Sequence, residues 1–179
     1  MRKKLLLHTC CGPCATYPIE KLKADYDIKC FFFNPNIQPI DEYEERRGEL
    51  ERFLEGGNIE PEWGAYKIEQ WRDAIAGMEE EPEGSNRCRK CFEFRLRESA
   101  VSAKRNGYKV FSTTLTVSPH KNAAAINEIG KKVAEEYGLD FLAEDFKKNN
   151  GFKAAARISA EHKLKRQDYC GCAYSRRKV

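Results

Sequence analysis

The sequence predicts an α/β protein built on an open, mostly parallel sheet, and three observations carry that expectation. Short apolar runs alternate with longer amphipathic stretches, the order that produces strand–helix–strand crossovers. No internal repeat or low-complexity tract interrupts the alternation. The 179 residues suit a single domain, 1–179, able to bury about 70% of the surface its unfolded chain exposes.

Taken in order, Lys3–His8 reads as a buried strand and Thr16–Ala24 as a helix, with Pro18 accommodated in its first turn. "IKCFFFN", Ile28–Asn34, is a second strand, ended by Pro35. Asp41–Leu54 is helical, with Asp41 suited to the N-cap and Gly56–Gly57 closing it. A short third strand lies near Glu62–Tyr66, and a helix over Ile68–Gly77 precedes the polar loop "MEEEPEGSNR". Arg89–Asn106 is a long helix stopped by Gly107, and Lys109–Thr114 is a strand. After the turn "SPHKN", Ala123–Tyr137 is a helix ended by Gly138, and Asp140–Leu142 begins a last strand. From about Phe146 the pattern becomes irregular and basic, so residues 147–179 read as a segment appended over the domain.

Composition narrows the class. Hydrophobic residues make up 41% and charged residues 34%, as in a globular protein. No segment approaches the roughly 18 apolar residues of a membrane span. "MRKKLLLHT" starts basic, but its apolar run is too short for a signal peptide, so the expected compartment is the cytoplasm. In a reducing cytoplasm, eight cysteines point to metal binding or redox chemistry rather than structural disulfides. Charge is uneven. Residues 147–179 hold ten Lys/Arg against two Asp/Glu, about +8, which leaves the other 146 residues at −4 of the overall +4. Such a segment suits a polyanion contact, nucleic acid being the usual one, and equally suits a solvated surface.

In open α/β sheets, ligands bind beyond the carboxyl ends of the strands. Cys10, Cys11 and Cys14 follow the first strand there, where a nucleotide-binding protein of this architecture keeps its phosphate loop. "CRKC", Cys88 and Cys91, sits where a loop enters a helix, and its dipole with Arg87, Arg89 and Lys90 lowers thiol pKa values. Two thiol groups on separate elements signal a metal. Seven thiols exceed the four that one structural zinc needs, which favours an iron–sulfur centre, with zinc as the alternative. In "CGC", Cys170 and Cys172, one intervening residue would strain a closed disulfide and make it labile, as suits electron relay or a second metal. Cys30, alone in an apolar strand, reads as a small buried hydrophobe.

The blocks "HTCCGPC", "NPNIQPIDEYEER", "RCRKCFEFRL", "TTLTVSPHKN" and "ISAEHKLKRQDYCGCAYS", spanning residues 8–175, resemble the cobalamin-independent epoxyqueuosine reductases of the QueH type. The resemblance implies a HUP (nucleotide α-hydrolase-like) fold, a 4Fe–4S cluster and a second, mononuclear iron. It implies reduction of epoxyqueuosine to queuosine at wobble position 34 of tRNA with a GUN anticodon, the last step of queuosine biosynthesis, with an external electron donor. By the same resemblance the cluster ligands fall on Cys10, Cys11, Cys88 and Cys91. Cys14 falls to the metal site, and Cys170 and Cys172 are redox-active or help hold the second metal.

Reducing an epoxide to an alkene requires a group to protonate the leaving oxygen. Candidates are Asp41, Glu42, Tyr43, His8 and His120; Asp41 is equally suited to capping its helix, and His8 to packing at a strand end. Tyr169 and Tyr174 could stack on an anticodon base. Lys163, Lys165, Arg166, Arg176 and Arg177 could contact phosphates, with Arg46 and Arg95 as weaker substrate candidates. Two rivals remain at this stage. A PP-loop ATPase acting on tRNA would need the Ser-Gly-Gly-x-Asp-Ser signature, which is missing. A zinc-stabilised RNA-binding module would leave the surplus thiols unexplained.

Overall fold

The computed structural model describes residues 2–175. Five strands form one sheet of order β3-β2-β1-β4-β5, and every neighbouring pair is parallel. They are β1 (Lys3–Thr9), β2 (Tyr26–Phe32), β3 (Pro61–Trp63), β4 (Val110–Thr113) and β5 (Asp140–Phe141). The helices are α1 (Gly12–Leu22), α2 (Ile40–Gly56), α3 (Ile68–Ala74), α4 (Asn86–Arg105), α5 (Ala123–Tyr137) and α6 (Gly151–Glu161). Among the described residues, no helix is long and apolar enough to cross a membrane.

The central strand explains the layering. Leu5, Leu6 and Leu7 of β1 are all fully buried, because a parallel strand needs apolar cover on both faces. Alternate side chains point to opposite faces. Leu6 packs with Phe31, Phe111, Leu96 of α4 and Ile126 of α5. Leu7 packs with Cys30, Phe32, Ile19 of α1 and Leu50 of α2. Cys30 is thus the buried hydrophobe its strand suggested. Register pairs Leu7 with Cys30 and Leu6 with Phe111.

Several boundaries move, each for a local reason. Helix α1 starts at Gly12, not Thr16, because Cys11 takes the N-cap position and Pro13 fits the first turn. Pro18 therefore lies inside the helix rather than at its start. Helix α2 starts at Ile40 with Pro39 as its N-cap, so Asp41 does not cap it. Asp41 and Glu42 instead put carboxylates in the first turn, where the helix dipole favours them. Helix α4 starts at Asn86, three residues earlier than expected, which brings Cys88 and Cys91 into its opening turns.

The largest difference lies in residues 147–175, the described part of the segment 147–179. That stretch is not an irregular appendage: α6 packs into the domain through a stripe of small residues, Gly151, Ala155 and Ser159. Ala155 joins Leu5, Leu22, Val117 and Phe146 in a shared apolar cluster. Thr16 Oγ1 donates to the carbonyl of Ala155 at 3.3 Å, tying α1 to α6. Lys153 and Arg157 are exposed on the opposite side of the helix.

Gly151 fixes how closely α6 can approach. A Cβ there would meet the Phe146 carbonyl oxygen at 1.9 Å and the Tyr17 ring at 2.6 Å. Gly48, inside α2, would meet nothing within 4 Å. The two glycines should respond oppositely to alanine in anaerobic urea denaturation. Gly151→Ala should lose about 2–3 kcal/mol of stability by forced repacking, and Gly48→Ala should gain about 0.5–1 kcal/mol from helix propensity.

Candidate metal centre and substrate cavity

The carboxyl edge of the sheet is braced by buried polar groups. His8 Nε2 faces the Phe33 carbonyl at 3.1 Å, so it carries the proton and donates. Thr113 Oγ1, 2.8 Å from Nδ1, then donates to the imidazole. Burial first, then the nearby Arg95, holds the His8 pKa down to about 3. His8 is therefore a neutral histidine packed beneath the edge, with both ring nitrogens engaged. Asn34 Nδ2 donates to the Thr9 carbonyl at 2.9 Å, while its Oδ1 accepts from Arg95. This network locks β1, β2 and α4 together beneath the thiols.

Two contiguous cavities open at that edge. The larger, about 690 Å³, is lined by Cys10, Cys11, Pro13 and Cys14 and by Leu115, Val117, Phe152 and Ala155. Arg46, Arg95, Lys121 and Arg166 supply positive charge. The smaller, about 80 Å³, is lined by Cys88, Cys91, Cys170 and Cys172, with Trp71 and Arg87. Glu83, Arg95, His120, Lys121 and Cys170 line both.

Seven of the eight cysteines therefore meet at this edge, in two groups. The sulfurs of Cys10, Cys11 and Cys14 lie within 4.8 Å of one another. Cys88 packs against the apolar cluster that contains Cys10 and Cys11. Cys91 and Cys172 are buried with Trp71 and Ile75, and Cys170 packs beside them. All eight cysteines are free thiols here, Cys170 and Cys172 included.

Each group concentrates negative charge on one sulfur. Hydrogen bonds from Cys11 and then Cys14, helped by Lys121 and Arg95, hold the Cys10 thiol well below its usual value despite burial. Cys14 is pushed up to about 12, chiefly by its hydrogen bond to Cys10, and Cys11 is raised for the same reason. In the second group, hydrogen bonding from Cys172 outweighs burial and, with Lys121 and Ser175, lowers Cys170. Cys172 is raised by Cys170. Burial opposes the charge on Lys121, yet Cys10, Cys170 and Cys14 raise its pKa. One ammonium thus serves both thiolates.

The surroundings fit an anionic iron–thiolate centre. The backbone N–H of Gly84 donates to Cys88 Sγ at 3.2 Å. Thr114 Oγ1 accepts from the Cys10 backbone N–H at 3.2 Å and sits 3.5 Å from Cys10 Sγ, where its hydroxyl proton can point. Cys170 Sγ lies 2.9 Å from Ser175 Oγ. The Cys91 thiol is raised mainly by burial, with Arg95 and the Trp71 indole N–H acting to favour its thiolate. Buried Arg87 Nη2 and Arg95 Nε find no hydrogen-bond partner among the described residues, and buried Trp71 Nε1 meets only the Cys91 sulfur. Orphaned N–H groups around a wall of sulfurs are costly without negative charge nearby and stabilising with it.

The Cys170–Cys172 loop is held from α2. Its Gly171 carbonyl accepts from the Gln38 N–H at 2.9 Å. Buried Arg46 pairs with Glu42 at 2.6 Å, donates to the Tyr169 carbonyl at 3.3 Å and stacks on the Tyr169 ring at 5.1 Å. Gly171 sits at φ +92, and a Cβ would strike Ile37 at 2.9 Å and Arg46 at 3.0 Å. Only glycine fits that loop.

The remaining candidates scatter. Asp41 is exposed in the first turn of α2 and lines neither cavity. Glu42 is engaged by Arg46, and Tyr43 is buried against Phe32 and Tyr66. His120 lines both cavities. Tyr169 lines the larger one, whereas Tyr174 stacks on Trp71 and under Arg87. Lys165 pairs with Glu45, Lys163 is exposed, and Arg166 lines the larger cavity. Arg176 and Arg177 lie outside the described residues. Lys121 and Trp71 escaped sequence reasoning; "SPHKN" was legible only as a turn.

A parallel α/β sheet that presents three clustered thiols beyond the carboxyl end of its central strand defines a candidate metal-binding protein of the open α/β class. In fold it is similar to the U34-tRNA thiolase NcsA from Methanococcus maripaludis, solved with its [4Fe-4S] cluster, at TM-score 0.63 and 13% identity. That match covers 97% of this chain and 61% of the thiolase. The family described as epoxyqueuosine reductase QueH matches residues 5–178. Relatives of that name include one from Streptococcus pyogenes, 39% identical over 98% of this chain and 71% of its own length. Another, from Thermotoga maritima, is 37% identical over 96% of this chain and 89% of its own length. The chain belongs to the epoxyqueuosine reductase QueH family.

The thiol electrostatics are open to a direct check in metal-free protein. Iodoacetamide at neutral pH should modify half-buried Cys170 well before Cys30, whose thiol burial pushes up to about 12. Because the Cys170 pKa is lowered, its labelling should persist as pH falls below the ordinary thiol range. Cys172→Ala should move that pH dependence back toward the ordinary thiol range, and Lys121→Met should do so by a smaller amount, read by peptide mass spectrometry.

Proposed function

We propose that this chain reduces epoxyqueuosine at wobble position 34 of tRNA to queuosine, completing the assembly of that nucleoside. The observation that carries the reading is the meeting of Cys10, Cys11 and Cys14 with Cys170, from opposite ends of the chain, on one cationic cavity, with Cys88, Cys91 and Cys172 lining the cavity beside it. Membership of the QueH family supplies the substrate class. The substrate would be a GUN-anticodon tRNA, the compartment the cytoplasm, and an external reductant the electron source.

Cys10, Cys11, Cys88 and Cys91 would hold a 4Fe–4S cluster. Cys14, Cys170 and Cys172 remain for a second iron or a redox thiol pair. Once bound, the metal centre supplies electrons singly from the external donor and, through an open iron, Lewis acidity at the epoxide oxygen.

The chain's own residues do the rest. The reaction consumes two electrons and two protons; both C–O bonds of the epoxide break, a carbon–carbon double bond forms and the oxygen leaves as water. His120 alone of the five proton-donor candidates lines both cavities, and its imidazole would deliver a proton to the epoxide oxygen. Arg95 and Lys121 would stabilise negative charge developing on that oxygen. Leu115, Val117 and Ala155 provide the apolar wall that excludes water from the reacting carbons. Exposed Lys163 would face the phosphates of the anticodon arm.

The deciding assay incubates anaerobically purified protein with epoxyqueuosine tRNA and a chemical reductant, and reads nucleosides by mass spectrometry. Queuosine should accumulate; an unchanged nucleoside pool with fully loaded iron would contradict the reading. The Cys88→Ser, Cys91→Ser double variant should lose both cluster absorbance and turnover. His120→Gln should keep its iron and lose at least about 100-fold in turnover.

A further inference from the structure

We propose that Phe152, with the Arg166 guanidinium stacked over it, is the platform that receives the ring of the nucleobase bearing the epoxide. The proposal rests on the tRNA reading above. Phe152 lies in the first turn of α6, half-buried, and lines the larger cavity. Arg166 comes from the loop after α6, and its guanidinium carbon stands 5.3 Å from the Phe152 ring centroid.

Arg166 is the exposed arginine of the larger cavity's lining, where Arg46 and Arg95 are buried. Lys165 is neutralised by Glu45, Arg157 by Glu161 and Arg46 by Glu42. Arg166 is exposed and makes no ion pair among the described residues. An unpaired planar cation lying on an aromatic ring at a cavity mouth is the surface that splayed nucleobases stack on. The exposed Tyr174 does not compete for this role, because it lies against Trp71 and Arg87 and lines neither cavity. Cys10, Cys11 and Cys14 line the same cavity as Phe152, so a base held there can extend its substituent toward the sulfurs.

The experiment compares binding of two anticodon stem-loops to the iron-loaded protein, one carrying queuosine at position 34 and one abasic there. The wild type should bind the intact loop roughly tenfold more tightly than the abasic loop. In Phe152→Ala that preference should collapse toward unity, and in Arg166→Ala, where the altered residue is exposed and no folding defect is expected, it should shrink severalfold. Phe152→Trp should retain the preference, and its indole emission, above the background of Trp63 and Trp71, should be quenched by the intact loop alone. Full preference in both alanine variants would overturn the platform while leaving the tRNA reading intact. Failure of the wild type to bind either loop would overturn both.

Discussion

Everything functional in this protein depends on bringing sulfur from distant segments to one sheet edge without breaking the fold. Cys11 occupies the N-cap position of α1, so Cys10 and Cys14 are set by the turn that ends β1. Cys88 and Cys91 ride the start of α4, and the C-terminal pair is carried back across the edge by a loop that α2 clamps. Each segment is rigid on its own account. The polar network of His8, Asn34, Arg95 and Thr113 then fixes the segments against one another.

Electrostatics gives that convergence a chemical purpose. Clustered thiols repel as they ionise, and burial alone would keep them neutral. Hydrogen bonds from neighbouring thiols, Cys11 and Cys14 to Cys10 and Cys172 to Cys170, with Lys121 beside both sulfurs, allow one thiolate in each group. The N–H groups of Trp71, Arg87 and Arg95 add donors with no oxygen or nitrogen to meet. A metal centre with bound thiolates resolves both conditions together, which is why the pattern reads as a cofactor site rather than a strained core.

What the sequence could disclose follows from signal strength. Helix α5 is found to the residue, because Asn122 accepts from the Ala125 N–H at 3.1 Å and Gly138 closes the helix at φ +66. The central strand is equally plain, being apolar on both faces. Helix α6 was hidden because nothing marks its start: Asn150 at the N-cap is left-handed and makes no side-chain cap hydrogen bond, and the packing face is built from glycine, alanine and serine rather than large apolar residues. The cysteines announced chemistry by spacing, yet nothing in spacing told that Cys88 and Cys91 share a cavity with Cys170 and Cys172 while Cys14 joins Cys10 and Cys11. Lys121 and Trp71 matter only through neighbours that are remote in the chain. Asp41 misled because an acidic residue at a helix start looks alike whether it caps, balances the dipole or acts on substrate.

An anomalous difference map at the iron edge, from crystals grown anaerobically, tests the central claim most directly. The account predicts iron bonded to sulfur from both the β1–α1 turn and the start of α4. Density bridging only one of these segments, or an anomalous signal at the zinc edge in its place, would contradict it.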